Sequence, residues 1–173
     1  MKVFLIGYRG TGKTTIGRML SEMIGFSFID TDQRIEERIG TSIREFVEKK
    51  GWESFRKMEQ VFLSELESVD NAVIATGGGI VLDPENRSFL KENGMVFRLY
   101  ADTATLISRI GADPQTEALR PSLTDREPES EIRTVCAERE PFYSQTAHHQ
   151  IDTTDQTPQQ AARMIKRRIE NGW

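Results

Sequence analysis

Five short apolar runs, residues 3–7, 26–30, 72–76, 95–100 and 149–152, are separated along the chain by longer stretches with helical spacing. This alternation predicts an α/β fold around a mostly parallel sheet, with each run a strand. One helix is predicted over 13–23 and another over 52–67, where Phe55, Phe62 and Leu66 recur on one face. Asp83-Pro84-Glu85 supplies a capping Asp followed by Pro at the first helical position. Thr157-Pro158-Gln159-Gln160 does the same, with Gln160 placed to close a capping box. A terminal helix follows through Ala161, Met164, Ile165 and Ile169. Residues 111–129 break the pattern: they hold Gly111, Pro114, Pro121 and Pro128 and show no periodicity. A stretch of that length inside a compact domain is usually functional or disordered.

The length, 173 residues, suits a single domain with its own core. The expected core covers 1–110 and 130–173, on either side of the irregular stretch. Hydrophobic residues make up 37% and charged residues 29%, which fits neither a membrane protein nor a disordered chain. The opening apolar run is too short for a signal peptide, so a cytoplasmic location without membrane association is expected. With Cys136 as the one cysteine, an internal disulfide and a cysteine metal cluster are excluded, and the thiol reads as packed with Ile132 and Val135. A net charge of −4 argues against nucleic-acid binding. It leaves an anionic small molecule open, since a few placed arginines set the local field.

Gly7-Tyr8-Arg9-Gly10-Thr11-Gly12-Lys13-Thr14 matches the phosphate-binding pattern G-x-x-x-x-G-K-[ST] in full, after a predicted strand and at the start of a predicted helix. Phosphates need closely approaching backbone N–H groups, and the helix N-terminus adds a favourable dipole. Lys13 is expected to reach the β- and γ-phosphates, and the Thr14 hydroxyl to bind Mg²⁺. The ATP-binding stretch is Gly10, Thr11, Gly12, Lys13, Thr14 and Thr15, although Thr15 by itself reads as an ordinary helix residue.

The loop specifies a nucleotide, not an acceptor. Asp30 and Asp32 follow the second apolar run, and ligands of open α/β sheets bind beyond the carboxyl ends of the strands. Both carboxylates should therefore face the same crevice as the loop, unless Asp32 merely caps the next helix. The run 72–76 ends in Gly77, Gly78 and Gly79, which lets a ligand approach the backbone closely, or simply makes a turn.

These features, with Trp52-Glu53-Ser54-Phe55-Arg56-Lys57-Met58-Glu59, Arg120-Pro121 and Arg139-Glu140-Pro141-Phe142-Tyr143, resemble the shikimate kinase family over nearly the whole chain and in the family's order. The resemblance implies a single kinase domain with a three-layer P-loop fold, a five-stranded parallel sheet flanked by helices, a substrate-binding region near 31–60 and a mobile lid near 111–129. It implies phosphate transfer from ATP to shikimate in aromatic amino acid biosynthesis, with Mg²⁺ as cofactor and a monomeric protein. By the same resemblance, Arg56 and Arg139 grip the substrate carboxylate, as a guanidinium fork can. Asp32 binds the ring hydroxyls and helps deprotonate one. Gly77, Gly78 and Gly79 line the pocket, Asp30 holds Mg²⁺ through water beside Thr14, and Arg120 reaches the transferring phosphate. Arg109 and Pro158 flank the adenine. Ser122-Leu123 departs from the pair of leucines that often follows the lid arginine.

Taken without the resemblance, Arg56 could pair with Glu59 or Gln60 on its own helix, and Arg139 could be a solvated helix arginine. Two other functions compete. A gluconate or nucleoside monophosphate kinase would share the loop, but a nucleotide acceptor needs a base-binding surface. A non-catalytic nucleotide switch would leave Asp32, Arg56 and Arg139 without a common purpose.

Overall fold

The computed structural model describes residues 1–112 and 127–172. The five apolar runs all become strands, with ends within a residue or so of those expected: β1 (Lys2–Ile6), β2 (Ser27–Asp30), β3 (Ala72–Ala75), β4 (Met95–Tyr100) and β5 (His149–Asp152). They form one parallel sheet in the order β2-β3-β1-β4-β5. Around it lie α1 (Lys13–Ile24), α2 (Thr31–Ile39), α3 (Ile43–Glu65), α4 (Pro84–Asn93), α5 (Thr103–Gly111), α6 (Pro128–Thr146) and α7 (Pro158–Glu170).

Strand side chains point alternately to the two faces, and both faces are covered. Val3 and Leu5 of β1 join Leu20 of α1 and Ala161 and Ile165 of α7 in one apolar cluster. Phe4 and Ile6 join a second, built with Ile35 of α2, Phe55 and Phe62 of α3 and Leu90 of α4. Met164 of the terminal stripe stays 40% exposed, at the margin of its helix's apolar face. Cys136 packs beside Leu106, Ile132 and Val135, and burial raises its thiol pKa.

Local chemistry sets the helix starts. The Asp83 carboxylate accepts from the Glu85 and Asn86 amides at 2.7 and 3.2 Å, with Pro84 opening α4. Thr157 and Gln160 form the reciprocal box at the start of α7. Helix α3 begins nine residues before the expected helix, because Ser42 caps it and Gly51 (φ 79°, ψ 162°) breaks it into two runs. The sequence pattern registers only the run after this break. At the irregular stretch, Gly111 closes α5 and Pro128 opens α6. The core of the expected lid, with Arg120, Pro121, Ser122 and Leu123, lies outside the described residues.

Candidate active site

The parallel order brings the carboxyl ends of β2, β3 and β1 side by side, and each delivers part of the site. β1 runs into the loop that opens α1. Within it the Thr11 hydroxyl donates to the Tyr8 carbonyl at 2.7 Å. The buried Lys13 ammonium donates to the carbonyls of Gly7 and Tyr8 at 2.7 and 2.8 Å, which pins it over the loop. Gly12 caps α1 at φ 89°, and the first turn carries no acidic side chain, so the positive helix end is left for an anion. Thr14 and Thr15 are both exposed and line the cleft over this loop, so Thr15 does not serve the core alone.

At the end of β2 the two aspartates divide their work. Asp30, not Asp32, is the cap of α2: its Oδ1 accepts from the amides of Asp32 and Gln33 at 3.1 and 3.3 Å. Its Oδ2 accepts from the Thr14 hydroxyl at 2.7 Å, which joins β2 to the phosphate loop. Asp32 occupies the first turn of α2 and is buried, with its side chain in the crevice.

At the end of β3, the Gly77 amide donates to the Thr31 hydroxyl at 3.0 Å. The glycines have separate tasks. A Cβ on Gly77 would stand 2.5 Å from Oδ1 of Asp32 and 2.7 Å from Oε1 of Glu59. One on Gly79 would run into the guanidinium of Arg56. At Gly78 the requirement is looser, but its carbonyl is an anchor that accepts from Arg139 Nη1 at 3.0 Å and from the Tyr143 hydroxyl. Tyr143 is buried, which raises its pKa and keeps it a donor.

These residues enclose a pocket whose apolar wall is Ile43, Trp52 and Phe55 and whose polar wall is Asp32, Arg56 and Arg139. Arg56 does pair with Glu59 on its own helix, and still lines the pocket; its guanidinium also sits 5.0 Å from the Trp52 ring centroid. Arg139 is 8% exposed, so it is no solvated helix arginine. Asp32 and Arg9 line both this pocket and the nucleotide cleft, and so mark where the two meet.

Arg109 and Pro158 also line the nucleotide cleft, and Arg109 donates to the Gly10 carbonyl of the loop at 3.4 Å. Arg109 donates to the Thr153 carbonyl at 2.6 Å and its hydroxyl at 3.1 Å, which holds it beside the loop after β5. Arg120 lies outside the described residues.

Some site residues escape sequence reasoning. Glu59 was visible only as a helix partner of Arg56, yet it is 1% exposed, and burial foremost pushes its carboxyl up to about 7. Its Oε1 has no hydrogen-bond partner among the described residues. Arg9 occupies a position that the loop pattern leaves free. It meets the fully buried Glu131 of α6 at 2.6 Å, across 122 positions of sequence. No spacing rule links such residues.

A phosphate loop at the end of β1, joined through Asp32 to a small pocket lined by Arg9, Arg56 and Arg139, defines a P-loop small-molecule kinase. The shikimate kinase family model matches residues 9–170, and the chain belongs to that family. It is 44% identical over 163 residues to shikimate kinase 2 of Enterobacter sp. (strain 638), covering 94% of this chain and 92% of that one. It is 42% identical over 165 residues to the shikimate kinase of Oleidesulfovibrio alaskensis, covering 95% of each. Among solved structures, the shikimate kinase of Acinetobacter baumannii in complex with shikimate superposes with a TM-score of 0.91 at 36% identity, over 98% of this chain and 93% of that one.

Proposed function

We propose that the protein transfers the γ-phosphate of ATP to the 3-hydroxyl of shikimate, giving shikimate 3-phosphate and ADP, as a step of aromatic amino acid biosynthesis. The observation that carries this reading is the shared wall: Asp32 faces both the P-loop cleft and the pocket holding Arg56 and Arg139.

Phosphoryl transfer depends on positioning and on neutralising charge. Lys13 and the amides of Gly10 to Thr14 bind the phosphates. Arg56 and Arg139 take the shikimate carboxylate in bidentate fashion, and the Gly77–Gly79 floor lets the ring lie against the backbone. Asp32 accepts the proton of the attacking hydroxyl as its oxygen bonds to the γ-phosphorus, and the bridging oxygen leaves with ADP. Arg109 and Pro158 flank the adenine, and Arg120 is assigned from the family resemblance to the transferring phosphate.

Thr14 and Asp30 would hold Mg²⁺. Their facing oxygens suit a hard cation that takes one or two carboxylates and completes its shell with phosphates. Among the described residues there is no cluster of three His, Cys, Asp or Glu that would make an all-protein cage. When bound, the ion neutralises charge on the β- and γ-phosphates.

No helix among the described residues is long and apolar enough to cross a membrane. We take the enzyme to act as a cytoplasmic monomer. The deciding experiment is a coupled ADP-release assay with ATP, Mg²⁺ and shikimate, with gluconate as comparison acceptor. Turnover with shikimate and not gluconate is expected; the reverse preference would overturn the assignment.

A further inference from the structure

Glu59 sits behind the pocket, not in its mouth. Its side chain is fully buried, one oxygen is paired with Arg56, and the other has no hydrogen-bond partner among the described residues. That second oxygen and Oδ1 of Asp32 crowd the same point beside the α-carbon of Gly77. Among the described residues, the charged groups facing Glu59 are Arg56 of α3, Asp32 of α2 and Arg139 of α6. Arg9 also lines the pocket, but its charge is met by Glu131.

With Glu59 ionised, the charges in this enclosure balance: the guanidinium groups of Arg56 and Arg139 offset the carboxylates of Asp32 and Glu59. An acidic acceptor adds a third carboxylate and draws on the same two guanidinium groups. A net negative charge in a desolvated site is costly unless a group neutralises. Asp32 donates its backbone amide to Oδ1 of Asp30, and its carboxylate is shared between this pocket and the nucleotide cleft. Glu59 lines this pocket but not the nucleotide cleft, and its Oε1, without a hydrogen-bond partner among the described residues, is placed to carry a proton.

We propose that Glu59 takes up a proton from solvent when the acceptor's carboxylate docks on Arg56 and Arg139, so that it acts as a positioning residue whose charge is exchanged for the substrate's. The inference rests on the carboxylate assignment of the two arginines. In the free protein, burial already brings Glu59 to a midpoint of about 7 against the pull of Arg56. Docking diverts that pull to the substrate and favours the neutral acid further. The added proton sits on Oε1, where Oδ1 of Asp32 is the adjacent acceptor.

The test is titration calorimetry of the full chain with shikimate near pH 7, in two buffers of different ionisation enthalpy. Uptake of about half a proton per site is expected, because Glu59 starts about half protonated and ends neutral. The shikimate Kd should rise with pH above neutrality, approaching tenfold per unit. Glu59→Gln keeps an acceptor oxygen for Arg56 and mimics the neutral acid. It should abolish the uptake and flatten the Kd profile while still binding. A wild-type Kd that is flat with pH and free of buffer dependence overturns the inference, even if the variant fails to fold. So does uptake that persists in Glu59→Gln. Arg56→Ala separates the two claims: affinity lost there with no wild-type uptake rejects the proton exchange alone. Affinity unchanged there rejects the carboxylate assignment and the exchange together.

Discussion

The guanidinium of Arg56 lies against the α-carbon of Gly79, so closely that a methyl group at that position would collide with Nη1, Nη2 and Cζ. Gly79→Ala should therefore displace Arg56 and weaken shikimate binding, by about 1–3 kcal/mol for an overpacked site. The KM for ATP should change little. Gly77→Ala pushes on Asp32 and Glu59 instead, so its loss should include turnover. Steady-state kinetics with each substrate varied would separate the two variants; equal effects on both substrates would contradict this division of the glycine floor.

Arg56→Ala and Arg139→Ala should each weaken shikimate binding by about 2–5 kcal/mol, the range for truncating one partner of a buried charge pair. Arg139→Ala should be the more disruptive structurally, because its guanidinium also anchors the Gly78 carbonyl at 3.0 Å. An acceptor without the carboxylate should bind wild-type protein as poorly as shikimate binds these variants.

Asp32→Asn keeps size and removes most basicity. Turnover should fall ~10²–10⁴-fold, the usual contribution of general base catalysis. Lys13→Ala should abolish transfer. Single-turnover measurements with saturating substrates would show whether Asp32 acts in the chemical step or only orients the ring.

Glu131→Ala leaves the Arg9 charge without its 2.6 Å partner in a largely buried place. Breaking such a pair costs about 3 kcal/mol or more. Denaturant unfolding should show the loss, and Glu131→Gln should recover part of it.

Glu59 also gives the free protein a pH-dependent stability. Its folded-state carboxyl is raised from the usual 4.5 to about 7, so the native state binds more protons than the unfolded chain between those values. Stability from this group is fully present at lower pH and is lost as the pH rises through about 7. Other carboxylates, such as Glu53, Glu65 and Asp102, are shifted down and act in the opposite sense. The measurement is therefore a difference: from pH 5 to 8, Glu59→Gln should gain stability over wild type, by up to roughly 3 kcal/mol.

Much of this architecture was legible in the sequence because its signals are local. The strands are short apolar runs, and Asp83-Pro84 and Thr157-Pro158 cap helices through neighbours two or three residues away. The phosphate loop is a contiguous pattern. The roles of Asp30 and Asp32 were less accessible: the sequence offered Asp32 as the alternative cap of α2, whereas the hydrogen bonds of Asp30 Oδ1 to the Asp32 and Gln33 amides give that task to Asp30. The start of α3 was hidden by Gly51, whose positive φ breaks the apolar periodicity. Glu59 and the Arg9–Glu131 pair depend on burial and on contacts between distant segments, which residue spacing does not encode.

The order of the sheet has a consequence for redesign. β3, which ends in the acceptor floor, lies beside β1, which ends in the phosphate loop, and backbone hydrogen bonds hold the two strands ~4.8 Å apart. In the proposed reaction the sheet acts as a ruler between donor and acceptor, while the side chains proposed to choose the acceptor sit largely on α2, α3 and α6. A different small acid could be accommodated by recutting those helices alone, with the reacting distance left as it is.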